Sequence, residues 1–545
     1  MKKQLKYMLL ALLLMCVGTG CADFLEEYNP SAVTDEFYNT KEGQEKLLVS
    51  VYSRFRDVFN TGELQYYGTD LYMAVTEDPS ERMFNGYDKT FNSTAPVVGD
   101  YWKNLYKIVQ ECNTLLHRCT PQTAGGDYAS LAAQGRFLRV LAYYYLVETF
   151  GDVPLLTEEN ESLILKAERT PESAVYAFML DELEDIKETL AMTTVDKGRV
   201  TDAAVRHLLG KLYLTRAYKP YAGQSDFADA ASAFESLLRA TDSYSLQPSF
   251  ASLFDENNQG NSEVIWAIQY GLDKNYVGGG NSQQALFGFN IVALEPDMFV
   301  KAQEDYSAME RRYWVIPKVH ELFTDPEADA RYDATFQREF YINNPDHEDY
   351  GKLGIYFPRW NDKSGINHGA KRFYPFREND DYSWYPQSTA LPVMEAASDR
   401  MPILHKFKDT KIQWGAAGSR EDVVFRLGDT YLLCAEACLG AGDKTRALEL
   451  VNEIRRRAAV DAAAYEKMKL TELTIDILMD ERARELLGEH DRWFDLKRTQ
   501  TLLTRVPAYN PLVVKYGNLN KNHLVRPIPQ DERNKVEGLT QNEGY

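Results

Sequence analysis

Two stretches of this chain place apolar side chains at helical intervals on both sides of a short polar turn, and that pattern restricts the fold more than any other feature. Val205, Leu208, Leu209 and Leu212 form one stripe. Ala230, Ala233, Phe234 and Leu237 form a second, across a turn between Pro220 and Asp226. The arrangement recurs near the C-terminus, where Val423, Leu427, Tyr431, Cys434 and Cys438 make a stripe that Gly440 and Gly442 interrupt. Asp443 is placed to cap the next helix, whose inner face is Ala447, Leu450, Val451, Ile454 and Ala458. A further helical period runs through Phe137, Val140, Leu141, Tyr144 and Val147 until Gly151, Asp152 and Pro154 end it. A helix with one apolar stripe has to bury it against a neighbour, so the pattern predicts a mainly α protein built from packed helix pairs.

Units of two helices and roughly 34 residues resemble tetratricopeptide repeats in rhythm, although the full repeat consensus is absent. Residues 255–420 have a different character. They lack a sustained helical period and are rich in Gly, Asn, Asp and Pro, as at Gly278-Gly279-Gly280-Asn281. They are not disordered by composition: Tyr341 to Tyr385 holds 11 aromatic residues in 45 positions, and disordered segments are poor in aromatics. The expectation is a tetratricopeptide-like helical scaffold carrying long ordered loop insertions. The divisions that follow are a signal segment at 1–20, an N-terminal helical region at 21–254, and a C-terminal region at 255–545. The last comprises a loop-rich insert at 255–420 and a helical part at 421–500.

The first residues read as an export signal. Lys2, Lys3 and Lys6 precede an apolar run from Tyr7 to Val17, then the small residues Gly18, Thr19 and Gly20, then Cys21. The run is shorter than the about 20 residues that span a bilayer. A Cys directly after small residues points to lipoprotein processing, with Cys21 as the lipid attachment site; Gly18 stands where that pattern usually has Leu. Cys16 follows bulky Met15 and is the poorer candidate. Several acyl chains on one cysteine give a durable anchor, since stable anchoring takes two lipid signals or more. No other segment has 18 uninterrupted apolar residues. The net charge of the 545-residue chain is −20, and −23 once the three signal lysines are removed. That balance argues against nucleic acid and anionic lipid surfaces as partners.

Four cysteines lie beyond the anchor: Cys112, Cys119, Cys434 and Cys438. Their seven- and four-residue spacings fit neither a disulfide framework nor a C-x-x-C metal site, so they are expected as small buried apolar residues. Catalytic signatures are absent: there is no H-E-x-x-H, no G-x-S-x-G and no Walker A motif. Glu481, Glu485, Asp491 and Asp495 invite comparison with glycosidase carboxylates, but Arg482, Arg484, Arg492 and Arg498 accompany them. Arg lowers a carboxylate pKa where a general acid needs it raised, so these are expected as ion pairs locking helices. Asp346, Glu348 and Asp349 match no EF-hand pattern and read as a solvated acidic loop. No cofactor is called for. Binding is the better prospect, because oligosaccharides are held by rings stacked on sugar faces with polar groups on the hydroxyls. Two stretches combine those residues. The first, Tyr66 to Phe91, contains Tyr72, Arg82, Phe84, Asn85, Tyr87 and Asp88, with a turn at 76–80. The second, Tyr276 to Tyr385, contains Asn281, Tyr356, Arg359, Trp360, Asn361, Trp384 and Tyr385. The ligand-binding candidates are Phe84, Asn85, Tyr87, Tyr276, Tyr356, Arg359, Trp360 and Trp384, whereas Trp102 and Trp493 are expected in the core.

Across almost the whole chain, an ordered series of motifs resembles the SusD/RagB nutrient-binding outer-membrane lipoproteins. It runs from Cys21-Ala-Asp-Phe-Leu-Glu through Trp102-Lys-Asn-Leu-Tyr106, Arg136-Phe-Leu-Arg139, Phe150-Gly-Asp-Val-Pro-Leu155 and Gly198-Arg-Val-Thr201. It continues with Asn261-Ser-Glu-Val-Ile-Trp266, Arg426-Leu-Gly-Asp429, Asn452-Glu-Ile-Arg455, Glu481-Arg-Ala-Arg-Glu485, Arg492-Trp-Phe-Asp-Leu496 and Gln541-Asn-Glu-Gly-Tyr545. The chain has Gly428 where the family often has Ala, and Glu543 where it usually has Pro. The resemblance implies a cell-surface lipoprotein of the outer membrane that is not an enzyme. Its partner would be a SusC-like TonB-dependent transporter barrel, to which it delivers an oligomeric nutrient. A glycan is the expected cargo and an oligopeptide or glycoprotein fragment the alternative; a surface glycosidase fits less well. Asp23, Glu26 and Glu27 beside the anchor fit a surface-export signal.

Overall fold

The computed structural model describes residues 35–60, 62–74, 79–160, 162–271, 280–288, 291–301, 313–374, 402–411 and 418–545. The signal, Cys21, Tyr276 and Trp384 lie outside them. No helix among the described residues is long and apolar enough to cross a membrane.

The helical expectation holds. Five long helices lead the chain: α1 (Lys41–Asn60), α2 (Pro96–Arg118), α3 (Tyr128–Phe150), α4 (Glu172–Ile186) and α5 (Asp202–Ala217). Helix α2 starts with Pro96, whose missing N–H is not needed there, and ends on His117 and Arg118, which suit the C-terminal end of its dipole. Helix α3 is buried almost all round beyond Leu131, and Gly151, at φ 72°, turns the chain out of it. Thr201 caps α5 by accepting from the Ala204 N–H. Helix α6 (Asp226–Leu238) folds back on α5 and packs on α7 (Leu427–Gly440), which pairs with α8 (Lys444–Ala458). Asp443 caps α8 as expected, accepting from the Arg446 N–H at 3.0 Å. Two further helices, α9 (Ile475–Glu485) and α10 (Arg492–Arg498), complete the scaffold. Trp102 and Trp493 are buried, and so are all four cysteines, each of them free.

Between α6 and α7 the chain is not simply looped. Strand β3 (Tyr313–Val315) pairs antiparallel with β1 (Tyr72–Ala74), which lies between α1 and α2, and β2 (Val264–Ile268) pairs antiparallel with β9 (Asp422–Arg426), which runs directly into α7. Strand β4 (Phe336–Gln337) pairs with β8 (Ile403–Leu404). A three-stranded sheet places β6 (Leu353–Tyr356) between antiparallel β5 (Glu339–Tyr341) and parallel β7 (Arg372–Phe373). These strands have two to five residues, too few for an alternating pattern to register in the sequence. Beneath them Ile291, Phe299, Phe340, Ile342, Ile355 and Phe357 form an apolar core separate from the main one.

Insert and scaffold meet in a buried lattice of arginines and carboxylates. The Arg426 guanidinium donates to Glu489 at 2.6 Å, to Glu485 at 2.9 Å and to Glu263 at 3.0 Å. From the insert, Arg331 donates to Glu481 at 2.9 Å, to Glu485 at 3.0 Å and to both oxygens of Asp329. Arg457 reaches Glu263 at 2.8 Å and also Glu485, while Arg455 and Arg484 share Glu481. Gly428 leaves room for this network, because a Cβ at that position would stand 2.1 Å from Arg426 Nη1 and the guanidinium would have to shift. Nearby, Arg482 pairs with Asp495 at 2.7 Å, Arg492 with Asp70 at 2.6 Å, and Lys211 with Asp491. The C-terminal carboxylates are thus ion pairs that lock helices, as their arginine neighbours suggested.

Burial pushes the Glu485 carboxyl upward, but Arg457, Arg426 and Arg331 outweigh it and hold the group down at about 2. Glu148 is held at about 2 against its burial by Lys219 and Lys497. Carboxyls depressed in the folded state contribute stability that is present above their unfolded value, near 4.5, and is lost as the pH falls toward 2. The urea midpoint is therefore expected to drop steeply across that window. Glu485→Ala takes one carboxylate partner from each of three buried guanidinium groups and should cost about 3–5 kcal/mol in urea unfolding at neutral pH.

Candidate functional site

The two stretches chosen for binding have different fates. In the first, Tyr66, Tyr67, Tyr72, Phe84, Tyr87 and Phe91 enter the core. Tyr66 packs against Tyr72 and Tyr313, with ring centroids at 5.3 and 4.8 Å. Phe84 lies against Phe91 at 5.0 Å, in a segment that is helical over Pro79–Gly86. The polar handles that suited sugar hydroxyls are spent on backbone. Asn85 Oδ1 accepts from the Ala74 N–H at 2.9 Å, and the Tyr87 hydroxyl donates to the Gly68 carbonyl at 2.7 Å. Phe84, Asn85 and Tyr87 are each buried, with 1–2% of their surface exposed. The expectation that these three meet ligand is corrected: they hold the β1 segment in place.

The insert does present its residues. Tyr356, at the end of β6, lies under a cluster rather than at its surface. Phe373 stacks on it at 6.1 Å with 15° between planes, His368 meets it edge-on at 4.8 Å, and the Arg338 guanidinium sits 5.9 Å from its centroid. The parallel register that sets Tyr356 beside Phe373 produces this stack. The chain then leaves the sheet through Arg359, Trp360 and Asn361, all half-buried. The Trp360 indole N–H donates to the Phe323 carbonyl at 2.9 Å, which fixes the ring. Arg359 pairs with Asp333 and lies 3.7 Å from Glu327, and the Asn361 amide donates to Glu327 at 3.2 Å. Arg338 donates to Asp333 at 2.9 Å from the other side. Glu327 and Asp333 are half exposed. Fixed ring edges beside a guanidinium, an amide and two carboxylates supply apolar faces together with donors and acceptors for hydroxyl groups.

Sequence reasoning overlooked Phe373, His368, Glu327 and Asp333 in this cluster. Phe373 falls in the aromatic-dense segment, a usable signal, but nothing local ties Glu327 or Asp333 to Arg359. Asp349 of the acidic loop is taken up by Lys352 at 2.7 Å and by Lys371. Elsewhere an open groove of about 410 Å³ runs along α2, its floor made by Trp102 and Tyr106, with Pro154, Leu156, Leu163 and Leu539 at its sides. The Tyr106 hydroxyl is spent on the Pro154 carbonyl, and the groove offers mostly apolar surface.

Residues 262–545 match the family model described as the SusD family. This chain belongs to the SusD family. Residues 23–214 match a second model, described as starch-binding and associating with the outer membrane. A SusD-like protein of Formosa agariphila is 24% identical over 550 residues, covering 94% of this chain and 93% of that protein. The starch-binding protein SusD of Bacteroides thetaiotaomicron is 27% identical over 444 residues, covering 76% of this chain and 72% of its own length. Among solved structures, a laminarin-binding SusD-like protein superposes with TM-score 0.68 at 22% identity, covering 93% of this chain and all of that one. A SusD homologue of Bacteroides thetaiotaomicron superposes with TM-score 0.73 at 18% identity, covering 95% of this chain. The mainly α SusD fold is therefore the fold of this protein.

Core and surface roles are separable by stability. Phe84→Ala should cost about 3–5 kcal/mol in urea unfolding. Tyr87→Phe, which leaves the buried Gly68 carbonyl without its donor, should cost about 1 kcal/mol. Trp360→Ala should cost less than Phe84→Ala, because its ring is only partly covered.

Proposed function

We propose that this SusD family member is a lipid-anchored capture protein of the outer membrane. It is held by Cys21 on the cell surface, where it binds an oligosaccharide and passes it to a SusC-like TonB-dependent transporter. The observation that carries the reading is the fixed Trp360 edge of the insert, with Arg359, Asn361 and Glu327 beside it. Relatives named for binding starch and laminarin support a glycan as the cargo. Tyr276 and Trp384, outside the described residues, remain on the list of ligand contacts, and Tyr356 supports the platform from below. No catalytic step is part of the proposal: Glu327 and Asp333 are engaged with Arg359, and the C-terminal carboxylates are locked in ion pairs.

Calorimetric titration with starch, laminarin and other oligosaccharides, beside a peptide pool, tests the ligand class. Binding to at least one glycan is expected, and Trp360→Ala should weaken it about tenfold, or 1.4 kcal/mol, with an unchanged circular dichroism spectrum. Binding confined to peptides, or glycan binding indifferent to Trp360, would overturn the assignment. Cys21→Ala should abolish labelling by radioactive palmitate and release the protein from the membrane. Co-purification of a barrel partner from outer membranes is the expected outcome for the transporter.

A further inference from the structure

The seam between the two helix pairs holds a cluster that nutrient capture does not use. Cys434 and Cys438 lie four residues apart on α7, so both thiols face the same way, toward α6. Glu235 on α6 meets them there: its carboxylate and the two Sγ atoms all lie within 4.8 Å of one another. Among the described residues this is the one such group of potential metal ligands. We propose that Glu235, Cys434 and Cys438 bind a single thiophilic divalent cation, zinc being the best match to two thiolates and one carboxylate.

The donor set suits that class of ion. Thiolates select soft and borderline metals over calcium or magnesium. Zinc takes sulfur at about 2.3 Å and carboxylate oxygen at about 2.0–2.2 Å, which sets tetrahedral donors about 3.5–3.8 Å apart. Bringing donors that lie within 4.8 Å of one another to that spacing takes rotation of the Cys434, Cys438 and Glu235 side chains. An outer shell is already built. Arg446 on α8 donates from Nε to Glu235 Oε1 at 2.7 Å and fixes the carboxylate, as outer partners fix metal ligands generally. Its positive charge, with that of the ion, offsets the three negative charges of the ligated donors. Leu214, Ala230, Phe234, Leu450 and Val451 close the apolar side. The Glu235 side chain is 21% exposed, so an ion has a way in and a water can take the fourth position. Cys112 and Cys119, the other free cysteines, belong to no such group and provide the internal control.

An ion held in this way joins α6 to α7, one helix pair to the other, and stabilises the folded state by binding only there. The test is titration of the purified, reduced protein with cadmium, read by thiolate-to-metal charge-transfer absorption, and with zinc, read by melting temperature. One equivalent of cadmium should saturate the absorption, and zinc should raise the melting temperature. Cys438→Ser should remove both responses, Glu235→Gln should weaken binding by about tenfold or more, and Cys112→Ser with Cys119→Ser should change neither. Should Cys438→Ser fail to fold, wild-type protein decides: zinc should slow alkylation of Cys434 and Cys438, mapped by mass spectrometry, and leave Cys112 and Cys119 unaffected. Absence of stoichiometric binding, affinity unchanged in Glu235→Gln, or protection of the other cysteine pair would each overturn the site.

Discussion

The buried lattice around Arg426, Arg331 and Glu485 is the constraint on which the rest of the architecture depends. Its members come from the residue before β2, the end of β9, α8, α9, the turn after α9 and the middle of the insert, segments separated by more than a hundred residues of chain. A lattice of this kind is costly to desolvate and contributes through specificity as much as through strength. Each guanidinium offers its donors in a rigid plane, so the carboxylates that receive them fix the angles at which the segments meet. Glu485 alone accepts from three arginines, which leaves little freedom for the insert to rotate over the helices. Gly428 belongs to the same constraint, since a larger residue would displace the Arg426 guanidinium from its present position.

The insert is therefore a module with two kinds of attachment. Strand pair β2–β9 joins its two ends at the start of α7, while strand pair β1–β3 and the arginine lattice attach its middle. Its own apolar core under β5 and β6 lets it keep a shape independent of the helices. Such a division suits a protein that presents a face to ligand: the surface beyond Arg359 can vary without disturbing the core beneath.

The helix pairs were legible in the sequence because each buries one continuous stripe, and stripes such as Leu450, Val451 and Ile454 repeat often enough to be read. The ion-pair role of Glu481 and Asp495 was legible from adjacent arginines, but the place of Arg331 and Glu263 in the lattice was not, because Glu481 and Arg457, which draw them into it, lie 150 or more positions away. The short strands were hidden for want of length. The misreading of Phe84, Asn85 and Tyr87 has a different origin. A tyrosine-rich core and a sugar-binding loop draw on the same residues, since both need rings with hydrogen-bonding tips. Only the fold decides whether a tip such as the Tyr87 hydroxyl meets Gly68 or solvent.

That distinction also bears on how Trp360 would recognise a ligand. Its indole N–H, the one polar atom of the side chain, is committed to the Phe323 carbonyl. The ring can therefore offer apolar surface but no hydrogen bond. The rotation it would lose on binding is already lost, which lowers the entropic cost of capture. Selection among hydroxyl patterns would then fall to Arg359, Asn361 and the carboxylates between them. Those groups already bond one another, so a ligand has to replace existing bonds rather than find free partners. Under the proposed reading, apolar stacking would supply the binding energy and polar exchange the discrimination, a combination suited to a cargo that is captured and then released.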